Sequence, residues 1–221
     1  MSDILTPRFI TFDMLGTLTN FQLAPIVTSV LDGVVPPDDH SLLRDHFSSY
    51  REDEVLGEYK PYPQVIRDSW ERTCKRWKIE FRQSDVDQMV DAIPTWGPHP
   101  DVVEPLQRLA KKYPLVILTN HSDHLVNGNV EKLGVEFYRV FTAEQAGAYK
   151  PRLRAFEYML DELDADPADL LHVSAHIWYD VIPATAMGIK EIAYIDHGDE
   201  PLDYAGVRRT TLAGVADLVG A

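Results

Sequence analysis

The strongest constraint on how this chain folds lies after Pro100, where short apolar runs alternate with stretches of helical periodicity. A helix from about Val102 leads into Leu115-Val116-Ile117-Leu118-Thr119-Asn120. A second helix precedes Val140-Phe141-Thr142, and a third covers roughly residues 151–163. Leu171-His172-Val173-Ser174 and Ile192-Ala193-Tyr194-Ile195 follow. Unbroken apolar strands are buried on both faces, which calls for a parallel sheet wrapped by helices. Near the start of the chain, Phe9 to Leu15 is another such run, ending at Gly16. The expected fold class is α/β.

Residues 36–100 read differently. Leu42, Leu43, Phe47 and Tyr50 recur at helical spacing, as do Val65, Ile66, Trp70, Cys74 and Trp77. Trp96-Gly97-Pro98-His99-Pro100 then breaks any regular element and marks a hinge. We expect an inserted all-helical domain over residues 20–100 and an α/β core built from residues 1–19 and 101–221. A chain of 221 residues is long enough for one buried core and a smaller second unit.

The formal charge of −14 repels phosphate backbones and acidic leaflets, so neither nucleic acid nor a membrane is an expected partner. A small anionic ligand would need local cations around its site. Cys74 is the only cysteine, which rules out an intrachain disulfide and a multi-cysteine metal cage. No basic leader precedes a signal-length apolar run and no run reaches membrane-spanning length, so a cytoplasmic location is expected. Such a chain could be a monomer or a homodimer.

In open parallel sheets the ligand sits beyond the carboxyl ends of the strands. Here those ends carry Asp13 followed by Met14-Leu15-Gly16-Thr17, then Thr119-Asn120, a loop with Lys150-Pro151, and Ser174 leading to Asp180. Taken singly, each has an ordinary explanation: Asp13 as a turn residue, Thr119-Asn120 as a helix cap, Lys150 as a solvated side chain. Around one crevice, a carboxylate, a hydroxyl and amide pair, a lysine and a second carboxylate suit covalent catalysis. One Asp attacks, a cation steadies it, and the other activates water.

Phe12-Asp13-Met14-Leu15-Gly16-Thr17-Leu18, Leu118-Thr119-Asn120, Tyr149-Lys150-Pro151 and the Ser174 to Asp180 segment resemble, in order, the four motifs of the haloacid dehalogenase superfamily. They span nearly the whole chain, with the helical insert where that superfamily places a cap. The resemblance implies a Rossmann-like core and Asp13 as nucleophile. Phosphatase members carry a second Asp two residues later, which protonates a departing alkoxide; this chain has Leu15. Magnesium-dependent members also have an acidic residue that aligns with Ala175, so neither a metal nor another cofactor is expected.

Both departures resemble the L-2-haloacid dehalogenase branch. By that resemblance Asp13 displaces halide from a short 2-haloacid, and water then hydrolyses the aspartyl ester. Asp180 orients or deprotonates the water, Lys150 keeps Asp13 ionised, and Thr17 and Thr119 hydrogen-bond the carboxylates. Ser174 belongs to the last motif, Asn120 faces the leaving group, and backbone amides near Met14 and Leu15 take the substrate carboxylate. The branch brings an arginine down from its cap. Arg44 and Arg51 share a helix face, and the family spacing to Tyr50 favours Arg44. Trp178 is a candidate wall of the halide pocket, with Trp70, Trp77 and Trp96 assigned to packing.

The chain also departs from the branch. Phe156 stands where a tyrosine is usual, and a Ser-Ser-Asn motif becomes Ser174-Ala175-His176-Ile177-Trp178-Tyr179, one residue out of register before Asp180. His176 could replace the asparagine. Two other functions remain open: a magnesium-dependent phosphohydrolase, and a catalytically silent binding protein of the same fold.

Overall fold

The computed structural model describes residues 4–197 and 208–221. Its sheet has six parallel strands in the order β3-β2-β1-β4-β5-β6. These are β1 (Phe9–Phe12), β2 (Leu115–Thr119), β3 (Arg139–Thr142), β4 (Leu170–Ser174), β5 (Glu191–Ile195) and β6 (Arg208–Thr210). β1, β2 and β4 are buried at every residue, which is why they read as continuous apolar runs. The chain builds outward from β1 to β3, then returns to β4 and builds the other way. The reversal falls between β1 and β4, the place where such sheets open a crevice.

Alternate residues of the strands feed two cores. Ile10, Phe12, Ile117, Leu171, Val173 and Ala193 pack on one face under helices α5 (Val103–Ala110) and α10 (Leu212–Leu218). Phe9, Val116, Leu118, Leu170 and Tyr194 pack on the other under α8 (Leu153–Leu163) and α9 (Ile182–Ala186). Between β1 and α5 the chain forms the cap helices α1 (Leu23–Leu31), α2 (His40–Leu56), α3 (Tyr62–Trp77) and α4 (Gln83–Ala92) around a third apolar cluster. Leu125 and Tyr149 of the sheet unit join that cluster, so cap and sheet share packing. The two connections run side by side: Thr19 bridges Pro98, the Asn20 amide donates to the Gly97 carbonyl at 2.9 Å, and the His99 amide to the Leu18 carbonyl at 3.0 Å.

Three details differ from the sequence reading. β1 stops at Phe12 instead of continuing to Leu15, because the Met14 carbonyl accepts the amides of Thr17, Leu18 and Thr19 in a tight turn. Helix α1 lies before Pro36, where the sequence reading began its helices, and buries Leu23, Val27, Val30 and Leu31 at helical spacing. β6 is a short polar edge strand without an apolar run to announce it. Among the described residues no helix is long and apolar enough to cross a membrane.

Candidate active site

Asp13 directly follows β1, its amide still bonded to the Val173 carbonyl at 3.0 Å. The chain then turns through Gly16 at φ +90°, a left-handed geometry that favours glycine. A Cβ on Gly16 would also come within 2.5 Å of His176 Nε2. Thr17 Oγ1 donates to Asp13 Oδ2 at 2.6 Å and accepts the Ala175 amide at 2.9 Å. The amides of Met14 and Leu15 donate to no acceptor among the described residues. The Met14 side chain lies wholly in the core, so its expected contact with substrate reduces to its backbone.

Lys150 sits in the turn before α8 and is 1% exposed, which removes the reading of a solvated side chain. Its ammonium donates to Asp13 Oδ1 at 2.8 Å, Asp180 Oδ1 at 2.7 Å and the Leu118 carbonyl at 2.9 Å, using all three protons. Burial alone would lower its pKa, but Asp13 and Asp180 outweigh burial and raise it. An unpaired buried ammonium costs several kcal/mol, so the two carboxylates and the lysine stand or fall together (~3–5 kcal/mol for removing one partner of such a set). Every proton of the ammonium is thus taken by a protein oxygen.

Asn120 was expected to face a leaving group. It lines the cavity, but its amide clamps Lys150: Nδ2 donates to the Lys150 carbonyl at 2.9 Å and Oδ1 accepts the Lys150 amide at 2.7 Å. Thr119 Oγ1 is buried without a hydrogen-bond partner among the described residues and bonds neither carboxylate. Ser174 Oγ accepts the His176 amide at 2.9 Å and shapes the loop above β4.

After that loop the chain makes a π-helical turn, Ile177–Val181. The Val181 and Ile182 amides reach back five residues to the His176 and Ile177 carbonyls. A π turn absorbs one residue more than an α turn, so it can take up the one-residue offset read in the sequence before Asp180. Asp180 is fully buried; Oδ1 takes Lys150 and His172 Nε2 (3.1 Å), while Oδ2 has no partner among the described residues. Burial would raise its pKa, but Lys150 and His172 outweigh burial and hold the carboxyl well below the usual carboxylate range. The same turn faces Tyr179 into the cavity and leaves Trp178 37% exposed, so tyrosine, not tryptophan, forms that wall.

A cavity of about 280 Å³ joins Asp13, Asn120, Lys150, His176 and Tyr179 to the cap, with Asp180 buried behind Lys150. Ser48, Arg51, Glu52 and Val55 enter it from α2 at positions i, i+3, i+4 and i+7, a single helix face. Arg51 donates to Tyr62 Oη at 3.2 Å and Ser48 Oγ at 3.1 Å, with its guanidinium 5.4 Å from the Phe21 ring centre. It forms no ion pair among the described residues, and its Nε has no acceptor. Arg44, favoured by the family spacing, instead donates to Thr28 Oγ1 on α1 at 2.8 Å and does not line the cavity. Seven residues separate the two on one face, but about 10 Å of helix rise separates what they reach. Phe21, Tyr62 and His172 were not singled out in the sequence. Only the spacing of residues 48, 51, 52 and 55 could have revealed the cavity face of α2.

The family model for haloacid dehalogenase-like hydrolases matches residues 7–188, and the chain belongs to that family. It is 24% identical over 216 residues to (S)-2-haloacid dehalogenase 1 of Pseudomonas sp. (strain CBS-3), covering 96% of this chain and 94% of that protein. Its fold matches that of the L-2-haloacid dehalogenase RSc1362 with a TM-score of 0.82 at 20% identity, over 98% of this chain and 100% of the other. It also matches the putative HAD-hydrolase YfnB from Bacillus subtilis, solved bound to magnesium, with a TM-score of 0.81 at 15% identity, over 97% and 99% of the two chains. The fold is common to both, so the residues of the site must decide between them.

The donor set does not fit a magnesium ion. Mg²⁺ asks for near-octahedral oxygen ligands. Here Lys150 occupies Oδ1 of both Asp13 and Asp180, Thr17 occupies Oδ2 of Asp13, and His176 Nε2 lies 3.0 Å from the Leu15 carbonyl; of these oxygens only Asp180 Oδ2 lacks a partner among the described residues.

Proposed function

We propose that the protein is a hydrolytic dehalogenase that converts a short 2-haloacid into a 2-hydroxy acid without a metal. One observation carries this reading: Asp13, held through both oxygens, shares a cavity with Arg51, which forms no ion pair among the described residues, with Glu52 of the same lining raising its pKa from a distance. A substrate with a carboxylate beside its reacting carbon spans such a pair, the carboxylate toward Arg51 or the Met14 and Leu15 amides and the carbon toward Asp13. Halide leaves without a proton, consistent with Leu15 in place of an acid. Relatives named as 2-haloacid dehalogenases point the same way.

In the first step an Asp13 oxygen bonds to the substrate carbon as the carbon–halogen bond breaks, and halide departs with the electron pair. In the second step water adds to the Asp13 carbonyl carbon while Asp180 takes its proton. The ester C–O bond then breaks and the alkoxide of the hydroxy acid takes up that proton; the second proton of the water, left on the Asp13 carboxyl, is lost to solvent as Asp13 returns to a carboxylate. Oδ2 of Asp180, buried and without a partner, suits the proton-accepting role.

The test is halide release from chloroacetate and 2-chloropropionate with EDTA present, beside a phosphatase assay with added Mg²⁺. Metal-independent halide release that disappears in Asp13→Asn is expected. Magnesium-dependent phosphate release alone would replace this reading with a phosphohydrolase, and inertness toward both with a silent binding protein.

A further inference from the structure

β4 presents alternate residues to the α8 side of the sheet, and among them the fully buried His172 stands where an aliphatic residue would pack. A buried polar ring is costly unless its nitrogens are satisfied, and both are. Nε2 lies 3.1 Å from Asp180 Oδ1, and Nδ1 lies 2.8 Å from Oγ1 of Thr11, its register partner on β1. A carboxylate only accepts, so the Nε2 proton points at Asp180. Thr11 has the hydroxyl to complete Nδ1. The ring is further held edge-on by Phe156, with ring centres 5.4 Å apart.

The consequence falls on Asp180. A carboxylate bonded by one donor can turn about its last torsion and exchange its oxygens. Here Lys150 and His172 converge on the same oxygen, Oδ1, and leave Oδ2 as the only basic position. We propose that His172, backed by Thr11, is a positioning residue for the second chemical step. It fixes Asp180 so that Oδ2 receives the proton of the water that adds to the Asp13 ester. The proposal rests on the two-step reading given above. His172 touches neither Asp13 nor the cavity, so the first step should not need it.

The experiment compares the full-length parent with His172→Leu, His172→Gln, Thr11→Val and Asp180→Asn, using 2-chloropropionate. Halide release is followed through the first turnover, and the intact protein is weighed by mass spectrometry after an acid quench. For His172→Leu we expect an undiminished first-turnover burst of halide. Turnover should then be about ten- to a hundredfold slower, KM should fall with kcat, and the ester should accumulate on Asp13. His172→Gln keeps a donor near the Nε2 position and should recover most of the rate; Thr11→Val should show a weaker form of the Leu phenotype. Loss of burst and turnover together, with no ester accumulating, would reduce His172 to packing. If His172→Leu does not fold, failure of Thr11→Val to accumulate ester, or full loss of rate in His172→Gln, overturns the proposal in the same way. Asp180→Asn separates the two levels: ester there but not in the His172 and Thr11 variants sinks only the positioning role, whereas its absence from every variant sinks the two-step reading.

Discussion

His176 Nε2 lies 3.0 Å from the carbonyl oxygen of Leu15, in a space that only the absence of a side chain on Gly16 leaves open. The imidazole thereby caps a backbone oxygen beside Asp13, both of them lining the cavity. A cation ligand at position 176 is therefore a direct test of what the imidazole excludes.

Replacing His176 with Asp removes the imidazole from the Leu15 carbonyl and adds a third carboxylate. His176→Asp should bind Mn²⁺, read by electron paramagnetic resonance, at least about tenfold more tightly than the parent, because affinity for hard cations follows the number of charged oxygen ligands. Equal binding by both proteins would show that the imidazole is not what keeps the cation out.

Arg51 and Arg44 separate the cavity from the cap interior. A charge-assisted bond to a substrate carboxylate is worth about 1.5–3 kcal/mol, so Arg51→Ala should lower kcat/KM for 2-chloropropionate roughly ten- to a hundredfold. Arg44→Ala, which loses a bond to Thr28 on α1, should stay within about twofold. Arg51→Lys should recover only part of the loss, since an ammonium cannot reach Tyr62 and Ser48 with one planar fork. The opposite pattern for Arg44 and Arg51 would return the anion site to Arg44.

His121 supplies a pH dependence of stability apart from the reaction. It is fully buried and accepts the Ser122 amide through Nδ1, and burial lowers its pKa to about 4. The unfolded chain protonates this histidine near pH 6.5, so between there and about pH 4 the unfolded state binds more protons. The stability it contributes is complete above roughly pH 6.5 and lost as pH falls toward 4, by about 3 kcal/mol. Urea midpoints measured across that range should fall less steeply for His121→Asn than for the parent. Parallel curves would mean that His121 is already protonated in the folded protein.

The sequence was most informative where a signal is local. Apolar runs at β1, β2 and β4 announced a buried parallel sheet because those strands have no solvent face to interrupt them. The polar residues at their ends identified the crevice, since chain direction in a parallel sheet brings all carboxyl ends to one edge. β6, polar and three residues long, had no such signal.

What the amino-acid sequence determined alone was therefore the layered α/β fold and the gathering of Asp13, Thr17, Lys150 and Asp180. Tertiary structure decided which partners those groups take. Helical spacing places Arg44 and Arg51 on one face of α2 but not which of them meets the cavity, because that depends on where the cap rests on the sheet. The bond from Thr11 to His172 and the seat of His176 on Leu15 each join residues 161 positions apart. Asn120, which lines the cavity as the sequence suggested, takes the Lys150 backbone as its partner for the same reason. A side chain's chemistry is written in the sequence, but its hydrogen-bond partner is chosen only when packing brings distant segments within reach of one another.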